Sequence, residues 1–149
     1  EEILHPEDYD GYRRVAEAVS TPIACGEQEA TEWGFRDLIE RARVDILQPD
    51  LTRCGGLTVA RKIVHMAERA NVLVIPHSWS SDLLTAASLH LNAFQRRAVL
   101  TEFNTASGPL SRDLCRNPIR LEDGCLAVPS GPGLGVEVNE ETIAKYRIA

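Results

Sequence analysis

Ile23-Ala-Cys-Gly-Glu27, Ile46-Leu-Gln-Pro-Asp50 and Val74-Ile-Pro-His77 are three short, mostly apolar runs, each closing on a side chain that can move a proton or hold a cation. Each is followed by apolar residues at helical spacing. Glu1 and Glu102 extend the series, which then stands at positions 1, 27, 50, 77 and 102, with gaps of 26, 23, 27 and 25 residues. That is the length of one strand plus one helix. Repeated strand–helix units joined by short connections give a parallel sheet. Closing such a sheet into a barrel brings the strand ends to one mouth. The expected fold is therefore α/β, with parallel strands at about 22–27, 45–50, 72–77 and 98–103 and helices between them. An open doubly wound sheet fits less well. The only Gly-rich run, Gly131-Pro-Gly-Leu-Gly135, lies in the tail rather than after a strand, and it reads as a turn.

The helices follow from the same pattern. Residues 1–5 read as a strand end. Pro6 opens a helix with Tyr12, Val15, Ala16 and Val19 on one stripe. Thr31 reads as the N-cap of a helix from Glu32 to about Arg43. Gly55-Gly56 precedes a helix from about Leu57 to Ala70, with Asn71 as its cap. The last helix of the series begins at Ser81-Asp82 and runs to about Phe94. It is apolar almost all round, as expected of a buried helix. Residues 1–103 form these units and 104–149 a tail. In the tail, Asp123-Gly124 turns a hairpin within Ile119–Val128, and residues 139–146 form a short helix.

Composition narrows the function. The 149 residues are 44% hydrophobic and 26% charged, which suits a packed domain and argues against disorder. A net charge of -6 without a Lys/Arg cluster argues against a nucleic-acid surface. No apolar run approaches the roughly 20 residues needed to span a bilayer. Cys25, Cys54, Cys115 and Cys125 lack a metal-like spacing and read as reduced thiols of a cytoplasmic protein, with Cys25, beside Glu27, read as packed rather than as a nucleophile. The chain opens at Glu-Glu without Met, so upstream sequence is expected to precede it.

The strand-end residues carry the chemistry. Glu1 and Glu27 are hard oxygen donors one unit apart, suited to Mg²⁺, with a third acid expected to complete the set. His77 is the candidate acid/base, since imidazole exchanges protons near neutrality. Asp50, one unit earlier, can accept the second ring N–H and fix the tautomer. Glu102 can hydrogen-bond a substrate or form a rim ion pair, and Trp79 can wall a pocket or pack. His65 and His90 within helices, and His5 in a loop, read as structural or exposed.

Together, Glu1-Glu2, Gly26-Glu27, Gln48-Pro-Asp50, Gly55-Gly56, Pro76-His77, Glu102 and the Pro-Gly-Leu-Gly tail resemble the C-terminal half of the enolase superfamily. Within it, the chain is similar to the mandelate racemase-like subgroup, which includes many acid-sugar dehydratases. The resemblance covers essentially the whole chain. It implies the C-terminal part of a (β/α) TIM-type barrel, Mg²⁺, and abstraction of the proton α to a carboxylate, the charge that develops being balanced by the metal. It implies Glu1 and Glu27 as second and third metal ligands, Asp50 and His77 as the catalytic dyad, and Glu102 as the acid that hydrogen-bonds the substrate. The first ligand, a Lys-bearing strand and the capping domain of the family would lie upstream of Glu1, and the usual Glu-Glu-Pro reads Glu1-Glu2-Ile3. The expected activity is dehydration of a sugar acid, with racemisation or a non-catalytic fragment as rivals, and the 149 residues alone are expected to be inactive. The open edges of a partial barrel also imply a homo-oligomer.

Overall fold

In the computed structural model, which describes residues 1–106 and 108–148, the three apolar runs lie side by side. Strands β1 (Ala24–Cys25), β2 (Ile46–Leu47) and β3 (Leu73–Val74) form one sheet in the order β1-β2-β3, all parallel. Ala24 pairs with Ile46 and Cys25 with Leu47; Ile46 pairs with Leu73 and Leu47 with Val74. Backbone bonds carry the pairing beyond these cores. Asp45 N–H and Gln48 N–H donate to Ile23 and Cys25 carbonyls, and Leu73 N–H and Ile75 N–H donate to those of Asp45 and Leu47, all at 2.9–3.0 Å.

Alternation along the strands sorts the side chains. Cys25, Leu47 and Val74 are buried against Phe35, Leu38, Ala60, Ile63, Val64 and Ala67 of the helix layer. Ala24, Ile46 and Leu73 face the other way and are only half-buried. Helices thus cover one face of the sheet, and the opposite face is the concave side of a barrel sector.

Helix α1 (Tyr9–Ala18) begins later than Pro6 implies, because the Asp8 carboxylate caps it by accepting the Gly11 N–H at 2.8 Å. Helix α2 (Thr31–Asp37) runs into a π-helical turn at Leu38–Ala42. Thr31 is not its N-cap: it is the first residue of the helix, in the left-handed region with a φ of 62°, and the cap position falls to Ala30. Helices α3 (Gly56–Ala70) and α4 (Asp82–Phe94) match the sequence pattern, with Asn71 in the left-handed region closing α3.

The expected fourth strand at 98–103 does not form. Side chains hold this segment instead of a ladder. The Asn92 amide donates to the Leu100 carbonyl at 3.2 Å and to the Thr101 hydroxyl at 2.6 Å, and the Glu102 carboxylate accepts the Ser78 N–H. Val99 and Leu100 stay exposed. In the tail, Pro109 stands at the first position of a single helical turn, α5 (Pro109–Arg112). Strands β4 (Leu121–Glu122) and β5 (Cys125–Leu126) pair antiparallel across Asp123 and Gly124, whose φ values of 49° and 77° suit a tight hairpin turn. Helix α6 (Glu140–Tyr146) is capped by Asn139. Asp82 at the start of α4 ties the tail down. Its two oxygens accept from the Arg112 guanidinium at 2.6 Å and the Ile119 N–H at 3.1 Å.

Among the described residues no helix is long and apolar enough to cross a membrane. All four cysteines are free, and only Cys125 is exposed. Burial, reinforced by the nearby Glu2 carboxylate, pushes the Cys25 thiol up to about 12, so it is no nucleophile at neutral pH.

Candidate active site

Asp50 and His77 stand three residues beyond Leu47 and Val74, the paired ends of β2 and β3, and so rise from adjacent strands on the concave side. Their side chains meet: His77 Nδ1 lies 2.9 Å from Asp50 Oδ2. Both are deeply set, at 7% and 2% exposure. Thr52 fixes the other carboxylate oxygen, donating from its N–H at 2.7 Å and from its hydroxyl at 2.5 Å. Burial raises the Asp50 carboxyl, but the bonds from the Thr52 hydroxyl, His77 and the Thr52 N–H outweigh it and leave Asp50 below the usual carboxylate range. An ionised Asp50 can only accept. Nδ1 is therefore the donor in this pair, and the second nitrogen, Nε2, is the one available for chemistry.

Nε2 faces Glu27, whose Oε2 lies 3.5 Å away. The backbone just before Glu27 explains this placement. Gly26 has a φ of 126°, and a Cβ there would come within 2.9 Å of the Phe35 ring. Only glycine takes this conformation without strain. Gly26 N–H is held at 2.8 Å by Glu2 Oε1, and Glu2 N–H donates to the Ala24 carbonyl at 3.1 Å. Arg53 Nη1 donates to the Glu27 carbonyl at 2.9 Å, while its Nε lies 3.9 Å from Asp50. One guanidinium thus spans the loops after β1 and β2.

Glu102 comes to the same place without a strand beneath it. Its Oε2 accepts the Ser78 N–H at 2.6 Å, one residue beyond His77. Ser78 in turn shares a hydrogen bond with Thr85 of α4 at 3.1 Å. Asp50, His77, Glu27 and Glu102 are therefore gathered. Glu1 is exposed and makes no side-chain hydrogen bond or ion pair among the described residues. Trp79 is 53% exposed in the loop between His77 and α4.

The oxygen donors of Glu27 and Glu1 are of the kind Mg²⁺ takes. However, no group of three His, Cys, Asp or Glu side chains among the described residues could hold a metal, and the Glu27 carboxylate is directed at His77. Glu1 and Glu27 are thus two oxygen donors that make no metal centre by themselves among the described residues.

Sequence reasoning missed the groups that hold the gathered side chains. Thr52 was legible as the Asp-x-Thr spacing of a side-chain-capped turn. Glu2, Arg53 and Ser78 act across 24 to 26 residues of sequence, and no local pattern announces them.

Comparison with known proteins points in one direction. Residues 1–142 match the family described as Enolase C-terminal domain-like. The D-galactarolactone cycloisomerase of Agrobacterium fabrum is 32% identical over 156 aligned residues, covering 99% of this chain and 41% of that protein. The D-gluconate dehydratase of Thermoproteus tenax is 35% identical, covering 99% of this chain and 30% of that protein. Among solved structures, the 3,6-anhydro-D-galactonate cycloisomerase of Zobellia galactanivorans superposes with a TM-score of 0.90 at 38% identity, over 97% of this chain and 41% of that one. The chain thus spans less than half the length of these relatives, and its parallel sheet corresponds to the C-terminal half of a barrel domain.

Proposed function

Since the chain belongs to the Enolase C-terminal domain-like family, we propose that the protein containing it removes the proton α to the carboxylate of a sugar acid and eliminates water. The observation that carries this reading is the line from Asp50 through the His77 ring to Glu27, with Nδ1 held at 2.9 Å and Nε2 turned to the concave side. Asp50 fixes the tautomer, so Nε2 is the nitrogen that takes the α-proton or delivers a proton to the departing β-hydroxyl. Loss of that proton and that hydroxyl leaves an enol, which tautomerises to a 2-keto-3-deoxy acid. Glu102, fixed on the Ser78 N–H, presents its remaining oxygen to the substrate. Glu27 and Glu1 would hold Mg²⁺ together with a ligand from elsewhere in the protein. The ion, when bound, supplies positive charge against the substrate carboxylate.

The test is a screen of five- and six-carbon sugar acids with Mg²⁺, scoring 2-keto-3-deoxy products. The full-length protein should turn over at least one acid, and His77→Asn should abolish turnover while leaving metal binding nearly intact. A His77→Asn protein that stays active would overturn the assignment. The 149 residues alone, offering two acidic ligands, should bind Mg²⁺ weakly and produce nothing. We expect the 149 residues alone to form a homo-oligomer by light scattering, because among the described residues β1 and β3 are the unpaired outer strands of the sheet.

A second reading rests on two of the relatives being cycloisomerases. Where the β-oxygen belongs to a ring, the same elimination opens the ring and loses no atoms. His77 and Asp50 serve it equally. Product mass separates the two, since dehydration lowers it by one water and ring opening leaves it unchanged.

A further inference from the structure

Gln48 sits two residues before Asp50, and its side chain makes no hydrogen bond among the described residues. Its N–H belongs to the sheet, donating to the Cys25 carbonyl at 2.9 Å. Leu47 points into the helix layer, so alternation puts Gln48 on the concave side with Ile46 below it and Asp50 above it. Parallel register sets Gly26 on one side of it and Ile75 on the other. The residue is only 7% exposed, yet its side-chain oxygen Oε1 is buried with no hydrogen-bond partner among the described residues.

The donors around the site are committed elsewhere. Gly26 N–H is taken by Glu2, the Thr52 hydroxyl and N–H by Asp50, Ser78 N–H by Glu102, and Arg53 Nη1 by the Glu27 carbonyl. A buried polar atom without a partner destabilises the fold, and leucine or methionine would fill the same volume without that cost. Two of the other buried unpaired oxygens differ in kind. Glu2 bonds through its second oxygen, and the Glu32 oxygen has Lys62 Nζ at 2.7 Å. The third, Ser88 Oγ, lies on α4.

We propose that the Gln48 carboxamide is a specificity-determining contact, whose oxygen accepts a hydrogen bond from one hydroxyl on the carbon chain of the substrate. The inference rests on the sugar-acid reading and sharpens it. An amide oxygen only accepts, and so does a carboxylate. Among the polar groups of a sugar acid the hydroxyls are the donors, so it is a hydroxyl that meets this oxygen. A site built around such a bond rejects an analogue lacking the hydroxyl, because the amide oxygen is then left buried and unpaired.

The experiment uses the full-length protein in a His77→Asn background, which prevents turnover, with Gln48→Leu added and Gln48→Met as a second variant should the first fold poorly. Unliganded stability is read by urea denaturation. Binding of a panel of five- and six-carbon sugar acids and of the monodeoxy analogues of the tightest is read by calorimetry. Stability should be equal or higher in the Gln48 variants. Affinity for the intact acid should fall about tenfold, the size of one lost hydrogen bond. For a single monodeoxy acid the variants and the parent should bind alike. A marked loss of unliganded stability in both variants would show that the amide has a partner within the protein and would overturn the inference. So would unchanged affinity for every acid. If the parent binds no sugar acid at all, it is the proposed function that falls, and this contact with it. Binding that ignores Gln48 refutes the contact alone.

Discussion

Replacing Asp50 by asparagine tests the chemistry of the site with little change of shape. The native carboxylate is 2% exposed and accepts three bonds within 2.9 Å, two from Thr52 and one from His77. An asparagine oxygen can keep the Thr52 bonds, so the loop after β2 should hold. At His77 the amide then presents its NH₂, which donates to Nδ1 and forces the ring proton onto Nε2. Nε2 loses the lone pair it needs to take a proton. Loss of a charge-assisted hydrogen bond alone is worth about 1.5–3 kcal/mol. Wrong-tautomer substitutions in hydrolase triads with the same carboxylate–imidazole arrangement cost roughly 10⁴ in kcat. The expected result is a kcat lower by about 10²–10⁴ with KM changed less than about threefold, because the lost interaction is felt mainly in the proton transfer. Nitrogen-15 NMR of the His77 ring should show the proton moved from Nδ1 to Nε2, a readout independent of turnover. An Asp50→Asn protein that keeps the Nδ1–H tautomer, or turns over within about fivefold of the parent, would refute this use of the dyad.

Other outcomes follow from the same geometry. Gly26→Ala should destabilise by about 1–3 kcal/mol in urea titration, since a φ of 126° strains any Cβ and Phe35, fully buried, blocks its path at 2.9 Å. Asp82→Ala strands Arg112 and the Ile119 N–H and should cost about 3 kcal/mol, the low end for breaking a buried pair, because Arg112 is 23% exposed and can rehydrate. The folded Asp50 carboxyl lies below its unfolded value of 3.8, so it contributes stability that is present above that value and lost as pH falls through the folded one. Asp50→Asn should therefore flatten the acid limb of stability against pH below about 4, measured by urea midpoints at stepped pH.

The parallel units were legible because one period governs them. Apolar runs ending at Glu27, Asp50 and His77 fixed both the strand positions and the direction in which their ends point. Local pattern cannot say whether a strand finds its neighbour, and 98–103 has the composition of a strand yet is held by Asn92 and Ser78 instead. Thr31 and Pro6 misled for a smaller reason. Each is a good helix-start residue, but the helices begin where Asp8 and Ala30 place them. The contact between Asp50 and His77 was readable from residue type and spacing. Gln48 stands out in sequence only as part of Gln48-Pro-Asp50, because an unpaired buried oxygen is a property of the packed structure and leaves no trace in sequence.

Glu102 shows how the tail bears on the site. With no ladder under 98–103, the position of the Glu102 carboxylate depends on the bonds around it. One is its own bond to the Ser78 N–H at 2.6 Å. Another set lies one residue on, where the Arg112 guanidinium stands 4.5 Å over the Phe103 ring and is itself anchored on Asp82. Asp82 opens α4, the helix whose Thr85 hydroxyl meets that of Ser78. The chain after His77 and the segment bearing Glu102 are therefore both referred to the first turn of α4, from opposite sides. Burial holds the Asp82 carboxyl above its ordinary value despite Arg112 and the Ile119 N–H. Folding gives up solvation of that acid to make the junction. The tail thus acts as a brace that sets the Glu102 carboxylate on the Ser78 N–H, one residue beyond His77, where the sheet itself does not reach.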